Sequence, residues 1–585
     1  MTMQAGRRAP VERRWVVRDA GPPARARALA LAAGVSETVA ALLAARGVNT
    51  EEEARALLRP SLSQLHDPFL MLGMREAAAR VLAAVDSGER ILIYGDYDVD
   101  GTTGTVVLRR ALDVLGARTG YHVPHRFTEG YGIRRDVLER ARGEGYTLVI
   151  SVDCGIRAFE PLEWARANGL DVIVTDHHLP DEGEGAPPAF AVLNPNQRGC
   201  LYPDKNLAGV GVAFKLAHAL FRERGKEKLV PGFLKVVAIG TVADVAQLVG
   251  ENRAIVSLGL ADLQKATNPG LRALLEVAGV GDDRAARAFD LGFRVGPRIN
   301  AAGRMDAARA VVELFESPDI EAARRIAARL DALNSERQRV QQEVTERALA
   351  ALEFGPHADD PVALAAGRGW HRGVIGLAAS KLAERTGRPA IVISLDEDGT
   401  GHGSARSTEE FHMLDALTAA ADLLETFGGH AHAAGLLVRE ENLPALRRRL
   451  NEHAAGAACA AAPDPCLHAD MELDAESVSL ELCDELGALE PFGAGWPEPV
   501  FVTRNLRVVG DPRVMKERHL KFNVNTPGGR VYEAVWWGGV EKSTATPRPG
   551  RRIELAYAVE ANRWNGQRRL QLSVRDLKES PESQV

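Results

Sequence analysis

The sequence predicts an α/β protein in which two α/β domains are joined by a long helix and followed by a small β-barrel. Three observations carry this. Short apolar runs alternate with helical patterns over residues 91–178, residues 320–353 hold a helical pattern with no Gly or Pro, and short alternating strands fill the C-terminal stretch.

Residues 1–70 read as a helical lead-in, because the Arg-rich start MTMQAGRRAPVERR runs into an Ala-rich stretch rather than a targeting peptide. A helix near 75–87 leads to a buried strand, Ile91 to Tyr94, inside ILIYGDYDVDG. The turn after it carries Asp96, Asp98 and Asp100 at every second position. TTGTVVLRRALDVLG (102–116) then supplies Thr at the cap, an apolar stripe and Gly116 at the stop, completing a strand–loop–helix unit. YTLVISVDCG (146–155) repeats the plan and delivers Asp153, while LDVIVTDHH (170–178) delivers Asp176, His177 and His178. In parallel sheets ligands gather outside the carboxyl ends of the strands, so these groups converge. GTVADVAQL (240–248) adds Asp244 inside an apolar stretch, where a carboxylate is costly unless paired or metal-bound. The first α/β domain is placed at 71–315.

Asp96, Asp98 and Asp100 would repel one another unless a positive group sat among them, and a hard divalent cation is the usual solution. A solvated acidic turn is the plain alternative, and a calcium-binding EF-hand loop is another. The EF-hand fails because Val107 stands where a bidentate Glu is required and a strand leads in. A lone Asp after a strand is ordinarily a helix cap, and a His pair ordinarily packs. Together, Asp96, Asp98, Asp100, Asp153, His177, His178 and Asp244 suffice for two cations sharing a bridging carboxylate, an arrangement suited to in-line attack of water on phosphorus.

Residues 259–315 read as helical and end in GFRVGPRINAAGRMD, whose Arg298 and Arg304 flank a Gly/Ala-rich loop suited to a phosphate. The connector at 316–357 holds a 34-residue helical run (320–353) that would span about 50 Å, with apolar heptads too irregular for a coiled coil. The second α/β domain, 358–462, contains GSARS, whose Ser404, Arg406 and Ser407 can ring a terminal phosphate, and FGGHAHAAG with His430 and His432. A second metal site at those histidines is the rival reading, weakened by the absence of an accompanying carboxylate. In 463–580, short strands, the Asn565-Gly566 turn, surplus Arg, and Tyr532, Trp536, Trp537 and Trp564 fit an OB-type barrel that binds single strands by stacking and charge. Strand aromatics more often fill cores, so Arg513, Lys516, Arg518 and Lys521 are the stronger nucleic-acid candidates.

Composition agrees with this plan. The chain has 585 residues, 45% of them hydrophobic, and no apolar run approaches a membrane span of roughly 18 residues. Residues 501–585 carry 16 Lys and Arg against 9 Asp and Glu, which leaves 1–500 at −14 within a chain of net −7. An acidic body with a basic tail domain fits a nucleic-acid binder whose catalytic part is rich in carboxylates. Five cysteines without a C-x-x-C pair argue for a reducing, cytoplasmic setting and against zinc. There is no G-x-x-x-x-G-K-[ST] loop, so no ATP-driven unwinding is built in.

DYDVDG, SVDCG, VTDHH and GTVADV, in this order, resemble motifs I to IV of the DHH phosphoesterase superfamily. RINAAGR, GWHRGVIGLAASKLAE, GSARS and FGGHAHAAG are similar to those of its single-strand-specific 5′-to-3′ exonuclease branch in bacterial DNA repair and recombination, and the resemblance spans residues 40–578. It implies a DHH domain, a DHHA1 domain with a phosphate-binding signature and an OB-fold. Asp98, Asp100, Asp153, His177 and Asp244 would be ligands of two Mn2+ or Mg2+ ions, with Asp153 the bridge. Asp96 would be a further ligand or outer partner, and His178 would touch the scissile phosphate or donate a proton. Arg298, Asn300, Arg304, Arg372, Ser404, Arg406, Ser407, Gly429, His430 and His432 would hold phosphate or DNA. Tyr94 stands where the superfamily's pyrophosphatases often carry a metal-binding His, which favours the exonuclease branch. The implied substrate is single-stranded DNA with a 5′ end, degraded to 5′-mononucleotides by a monomer away from membranes. The implied partners are a single-stranded DNA-binding protein and a helicase such as RecQ. The alternatives are a DHH phosphodiesterase acting on oligoribonucleotides or cyclic dinucleotides, and a non-catalytic scaffold, in which ligand positions are typically lost.

Overall fold

Ile91, Leu92 and Ile93 lie in β1 (Arg90–Gly95), buried at every position after Arg90. The computed structural model describes residues 12–580 except 182, 184, 282–283, 306, 409–410, 458–465, 543–544 and 565–566. These fall into two units, one within 65–457 and one combining 12–64 with 466–580.

In the first unit, β1 is followed by α1 (Val99–Val114), β2 (Arg118–His122), β3 (Tyr146–Val152), β4 (Asp171–Thr175) and β5 (Ala191–Leu193). The sheet order is β2-β1-β3-β4-β5, all parallel, as the alternation of strands and helices requires. Side chains alternate across the sheet. Ile91 and Ile93 pack with Val107, Leu108 and Leu112 on one face, and Leu92 packs with Val137 and Leu138 on the other. Asp98, rather than the expected Thr102, caps α1, accepting the Gly101 N–H at 3.0 Å. The threonine hydroxyls are instead spent inside the helix, for example Thr105 donating to the Gly101 carbonyl at 2.8 Å. β3 and β4 stop immediately before Asp153 and Asp176. Asp244 caps the C-terminal end of α2 (Leu234–Ala243).

RINAAGR does not form the expected loop. It lies in α3 (Gly296–Arg304), which has Pro297 in its first turn and buries Ile299, Ala301 and Ala302, so tertiary burial overrides the weak helix propensity of its glycines. The connector is α4 (Ile320–Glu353), capped by Asp319. Its first half gives Ala323, Ala327 and Leu330 to one core, and its second half gives Val344, Ala348 and Leu352 to another. The second core belongs to β6 (Ala363–Arg368), α5 (Arg372–Thr386) and β7 (Ala390–Leu395), which continue into β8 (Thr400–Arg406), β9 (Leu424–Gly429) and β10 (Ala433–Arg439). Strand order is β9-β10-β8-β7-β6, with β6 and β7 parallel and the rest antiparallel.

The second unit corrects the reading of the lead-in as helical throughout. Arg14–Val17 is a strand, parallel to Cys466–Ala469, and Trp15 donates from Nε1 to Asp576 at 2.8 Å. Helices Pro23–Ala33, Glu37–Ala45 and Glu51–Leu58 share one hydrophobic core with the barrel, Leu42 and Leu43 clustering with Leu482, Trp496 and Phe501. The barrel strands Phe501–Met515, His519–Asn525, Val531–Trp536, Gln567–Glu579 and Arg552–Trp564 follow in ring order, and pairing of the first with the last closes the ring. Tyr532 and Trp536 are core residues. The Asn565-Gly566 turn and the Trp564 side chain lie outside the described residues. No single described helix is long and apolar enough to cross a membrane.

Candidate metal centre and anion cradle

Asp153 is the pivot of the site. It follows β3 with φ +63°, a left-handed conformation rare outside glycine, and its N–H is held by the Thr175 carbonyl at 2.9 Å. Backbone strain of this kind clusters at functional positions. Gly209 permits the geometry: a Cβ there would stand 2.7 Å from the Asp153 carboxylate. The two residues that open the neighbouring helix, Gly209 and Val210, donate their N–H groups to Asp100 at 2.6 and 2.7 Å.

Ligand atoms converge in three overlapping groups, each with its atoms within 4.8 Å of one another: Asp96, Asp98 and Asp153; Asp100, His177 and Asp244; Asp153, His177 and His178. His177 Nε2 is the hub, 3.2 Å from Asp153, 3.7 Å from Asp100 and 3.9 Å from Asp244. All seven residues predicted for the centre are thus together. Burial raises Asp100 to about 7 and Asp244 to about 9, reinforced by neighbouring carboxylates, and lifts Asp96 and Asp153 well above the carboxylate range. Burial and the adjacent His178 hold His177 down at about 4, so its imidazole is neutral, as a ligand must be. Asp96 Oδ1 and Asp153 Oδ1 are buried without a hydrogen-bond partner. Orphaned carboxylate oxygens, a neutral imidazole and uncompensated like charge fit hard divalent cations.

Asp176, fully buried, organises the histidines. Its Oδ1 accepts the His177 and His178 N–H groups and His178 Nδ1, the last at 2.8 Å, while Oδ2 accepts from Ile156 N–H. Burial opposes its charge, but these bonds hold it below the usual carboxylate range. Burial likewise opposes charge on His178, yet the bond to Asp176 and the surrounding carboxylates raise its pKa.

A second cluster is cationic. Arg304 lies at the end of α3, and burial followed by repulsion from Arg126, Arg337 and Arg406 lowers its pKa to about 10. None of these four guanidiniums has an ion-pair partner among the described residues. Arg126 lies over the Tyr97 ring at 4.8 Å, Arg304 donates to the Gly373 carbonyl at 3.1 Å, Arg337 bonds the amide oxygens of Asn334 and Gln341, and Arg406 donates to the Ala405 carbonyl. Gly376, in the first turns of α5, leaves open the space that Arg406 Nη2 and Ser404 Oγ face; a Cβ there would meet them at 3.1 and 3.4 Å. Guanidiniums without ion-pair partners, beside the space that Gly376 leaves open, make this cluster a candidate anion cradle. Arg126 and Arg337 escaped sequence reasoning because isolated arginines carry no motif.

Three family models match the chain: the DHH family, N-terminal domain, at residues 90–241; the DHHA1 domain at 359–456; and the RecJ OB domain at 469–576. The single-stranded-DNA-specific exonuclease RecJ of Bacillus subtilis (strain 168) is 39% identical over 93% of this chain and 68% of its own length. The protein of the same description from Dickeya dadantii (strain 3937) is 38% identical over 92% of this chain and 95% of its own length. The chain belongs to the RecJ family. RecJ from Thermus thermophilus matches the fold in crystal structures with Mn2+ (TM-score 0.82, 32% identity, 97% of this chain and 80% of that one) and with Mg2+ (TM-score 0.76, 31% identity, 97% and 79%).

Of the other expected phosphate contacts of this RecJ-family chain, Arg298, Arg372 and Ser407 are engaged elsewhere. Arg298 is paired with Asp331 at 2.8 Å and bonds the Arg294 carbonyl, because RINAAGR is helical and turns it toward α4. Arg372 is paired with Asp396, and the Ser407 hydroxyl donates to the Phe411 carbonyl. Asn300 is half-buried on α3. Gly429 has φ +145°, and the exposed His430 and His432 flank the tight turn beside it, where His430 N–H meets the Ala433 carbonyl at 2.8 Å. Neither histidine belongs to a ligand cluster among the described residues. In the barrel, Arg513, Lys516 and Arg518 are exposed on one hairpin, with Arg518 3.8 Å from Glu541, whereas Lys521 is neutralised by Glu533 at 2.7 Å. Among the predicted barrel aromatics whose side chains are described, Trp537 is exposed and packs edge-on to His519.

Proposed function

We propose that this chain is a single-stranded-DNA-specific 5′-to-3′ exonuclease that hydrolyses phosphodiester bonds with two divalent cations, Mn2+ or Mg2+, and releases 5′-mononucleotides in DNA repair and recombination. The observation that carries the reading is the convergence of the seven centre residues beside four arginines that no carboxylate among the described residues neutralises.

Asp98, Asp100, Asp153, His177 and Asp244 would hold the cations, with Asp153, common to two groups of ligand atoms, between them and Asp96 completing one. Bound there, the cations would polarise the scissile phosphate and lower the pKa of the attacking water. Asp176 keeps His178 Nδ1 occupied and favours its protonated form, which would leave Nε2 to give a proton to the departing 3′-oxygen. Arg126, Arg304, Arg337, Ser404 and Arg406 would hold the terminal 5′-phosphate. Fixing that phosphate a set distance from the metal centre sets polarity and product length together, since only the first phosphodiester then lies at the metals.

The barrel would bind single-stranded DNA through Arg513, Lys516 and Arg518. A single-stranded DNA-binding protein and a helicase such as RecQ are the proposed partners, with the chain acting as a cytoplasmic monomer. The test is digestion of single-stranded DNA labelled at either end, with and without Mn2+. Immediate release of the 5′ label as a mononucleotide, dependent on metal, supports the reading; initial release of the 3′ label, or an equal rate in EDTA, defeats it.

A further inference from the structure

Between β2 and the helix Arg135–Gly143 the chain forms neither strand nor helix, and this one segment, residues 123–134, reaches three parts of the site. Arg126 lies over the Tyr97 ring at 4.8 Å and stands close enough to Arg304 and Arg406 to repel both. Phe127 meets the His371 ring edge-on, with centroids 5.7 Å apart, and His371 caps α5 by accepting the Gly373 N–H at 3.1 Å. Tyr131 donates its hydroxyl to the Asp153 carbonyl at 3.2 Å and stands edge-on to His178, with its oxygen 3.3 Å from Nδ1. Six residues thus carry a cradle arginine at one end and, at the other, the ring beside the proposed proton donor.

A segment outside strands and helices loses backbone entropy on ordering without ladder hydrogen bonds in return, so its position depends on the side chains that hold it. Two such anchors stand on adjacent strands. Tyr94 and His122 are in register across β1 and β2, with their rings 5.0 Å apart. Tyr94, fully buried, donates its hydroxyl to the Gly132 carbonyl at 3.0 Å, next to Tyr131. His122 Nε2 lies 2.8 Å from Glu129 Oε2, and the same oxygen accepts the His125 N–H at 3.2 Å. The Glu129 N–H donates to the His125 carbonyl at 2.9 Å, so Glu129 closes the turn that contains Arg126. Gly130 and Gly132, at φ +77° and +95°, bend the chain between the two anchors. Glu129 belongs to no ligand cluster among the described residues.

We propose that Glu129 and Tyr94 are positioning residues for the 5′ end: Glu129 holds the turn that presents Arg126 to the terminal phosphate, and Tyr94 holds Tyr131 against His178. The assignment rests on the exonuclease reading above. It separates two effects along one segment, binding of the end through Arg126 and turnover through His178.

The test uses the full chain, with kcat and KM measured in Mn2+ on single-stranded oligonucleotides bearing a 5′-phosphate or a 5′-hydroxyl. Glu129→Ala should raise KM for the phosphorylated end about 5- to 50-fold, the range of one or two lost hydrogen bonds, and leave KM for the hydroxyl end within about twofold. Glu129→Gln, whose amide oxygen can still accept the His125 N–H, should recover most of the loss. In an Arg126→Ala background, Glu129→Ala should add no more than about twofold, because the group it positions is gone. Tyr94→Phe keeps the buried ring and removes one hydrogen bond; it should lower kcat about 3- to 10-fold on both ends with KM unchanged. Calorimetric titration with Mn2+ should show the metal bound by every variant as by the unsubstituted chain. Equal KM losses on both ends, additive losses with Arg126→Ala, an unchanged kcat in Tyr94→Phe, or loss of Mn2+ binding by Glu129→Ala overturns the assignment. Failure of the unsubstituted chain to cleave either oligonucleotide in Mn2+ defeats the exonuclease reading, and the assignment with it.

Discussion

Asp176 Oδ1 stands 2.8 Å from His178 Nδ1 and also accepts the backbone N–H of both histidines, so one buried carboxylate sets the position of the neighbouring imidazole and favours its protonated form. Asp176→Asn should therefore lower kcat by about 10- to 100-fold, as losses of such supporting partners do, with a smaller change in KM. His178 loses the partner that raises its pKa, so the alkaline limb of the rate profile should move to lower pH. An unmoved limb counts against His178 as the proton donor.

The metal-free centre should be destabilised by alkali. Asp100 and Asp244 are raised to about 7 and about 9 from the ordinary carboxylate value near 4, so the folded state retains protons that the unfolded chain has lost. Their contribution is fully present below about pH 4 and is lost as pH rises through 7 to 9. Thermal melts in EDTA should show the melting temperature falling across that window. Stabilisation by Mn2+ should grow over the same interval, because the cation replaces those protons.

The arginine cluster separates cradle residues from paired ones. Arg406→Ala and Arg126→Ala should each raise KM for 5′-phosphorylated DNA by about 10- to 100-fold, the worth of a charge-assisted hydrogen bond, with little effect on 5′-hydroxyl ends. Arg298→Ala and Arg372→Ala, at residues spent on Asp331 and Asp396, should leave the end preference intact. Steady-state kinetics on both kinds of end decides.

Removing the barrel requires removing the lead-in with it, since both share one core. A chain limited to residues 65–462 should keep its rate on very short oligonucleotides and show a raised KM on long single strands, with a weaker dependence on salt. Equal losses on short and long substrates would mean that the second unit does more than tether.

Much of this architecture is legible in the sequence. A parallel sheet forces strand ends together, so Asp153 and the Asp176 triplet could be assigned to one crevice with Asp96, Asp98 and Asp100. The connector was equally plain, because 34 residues without Gly or Pro leave few alternatives to a helix. Other features depend on distant partners. Arg14–Val17 becomes a strand only because Cys466–Ala469 lies beside it, and α3 is helical because Ile299, Ala301 and Ala302 find a core. The cradle draws Arg126, Arg304, Arg337 and Arg406 from four separate segments, so half of it had no local signature. Asp176 was visible within its motif, yet its bracing of both histidines emerges only from the hydrogen bonds.

The most direct test of the central claim is anomalous diffraction at the manganese edge from crystals grown in Mn2+. Two peaks bridged by Asp153, within reach of Asp98, Asp100, His177 and Asp244, are the predicted result. A centre without anomalous signal, or manganese bound only elsewhere on the chain, would contradict it.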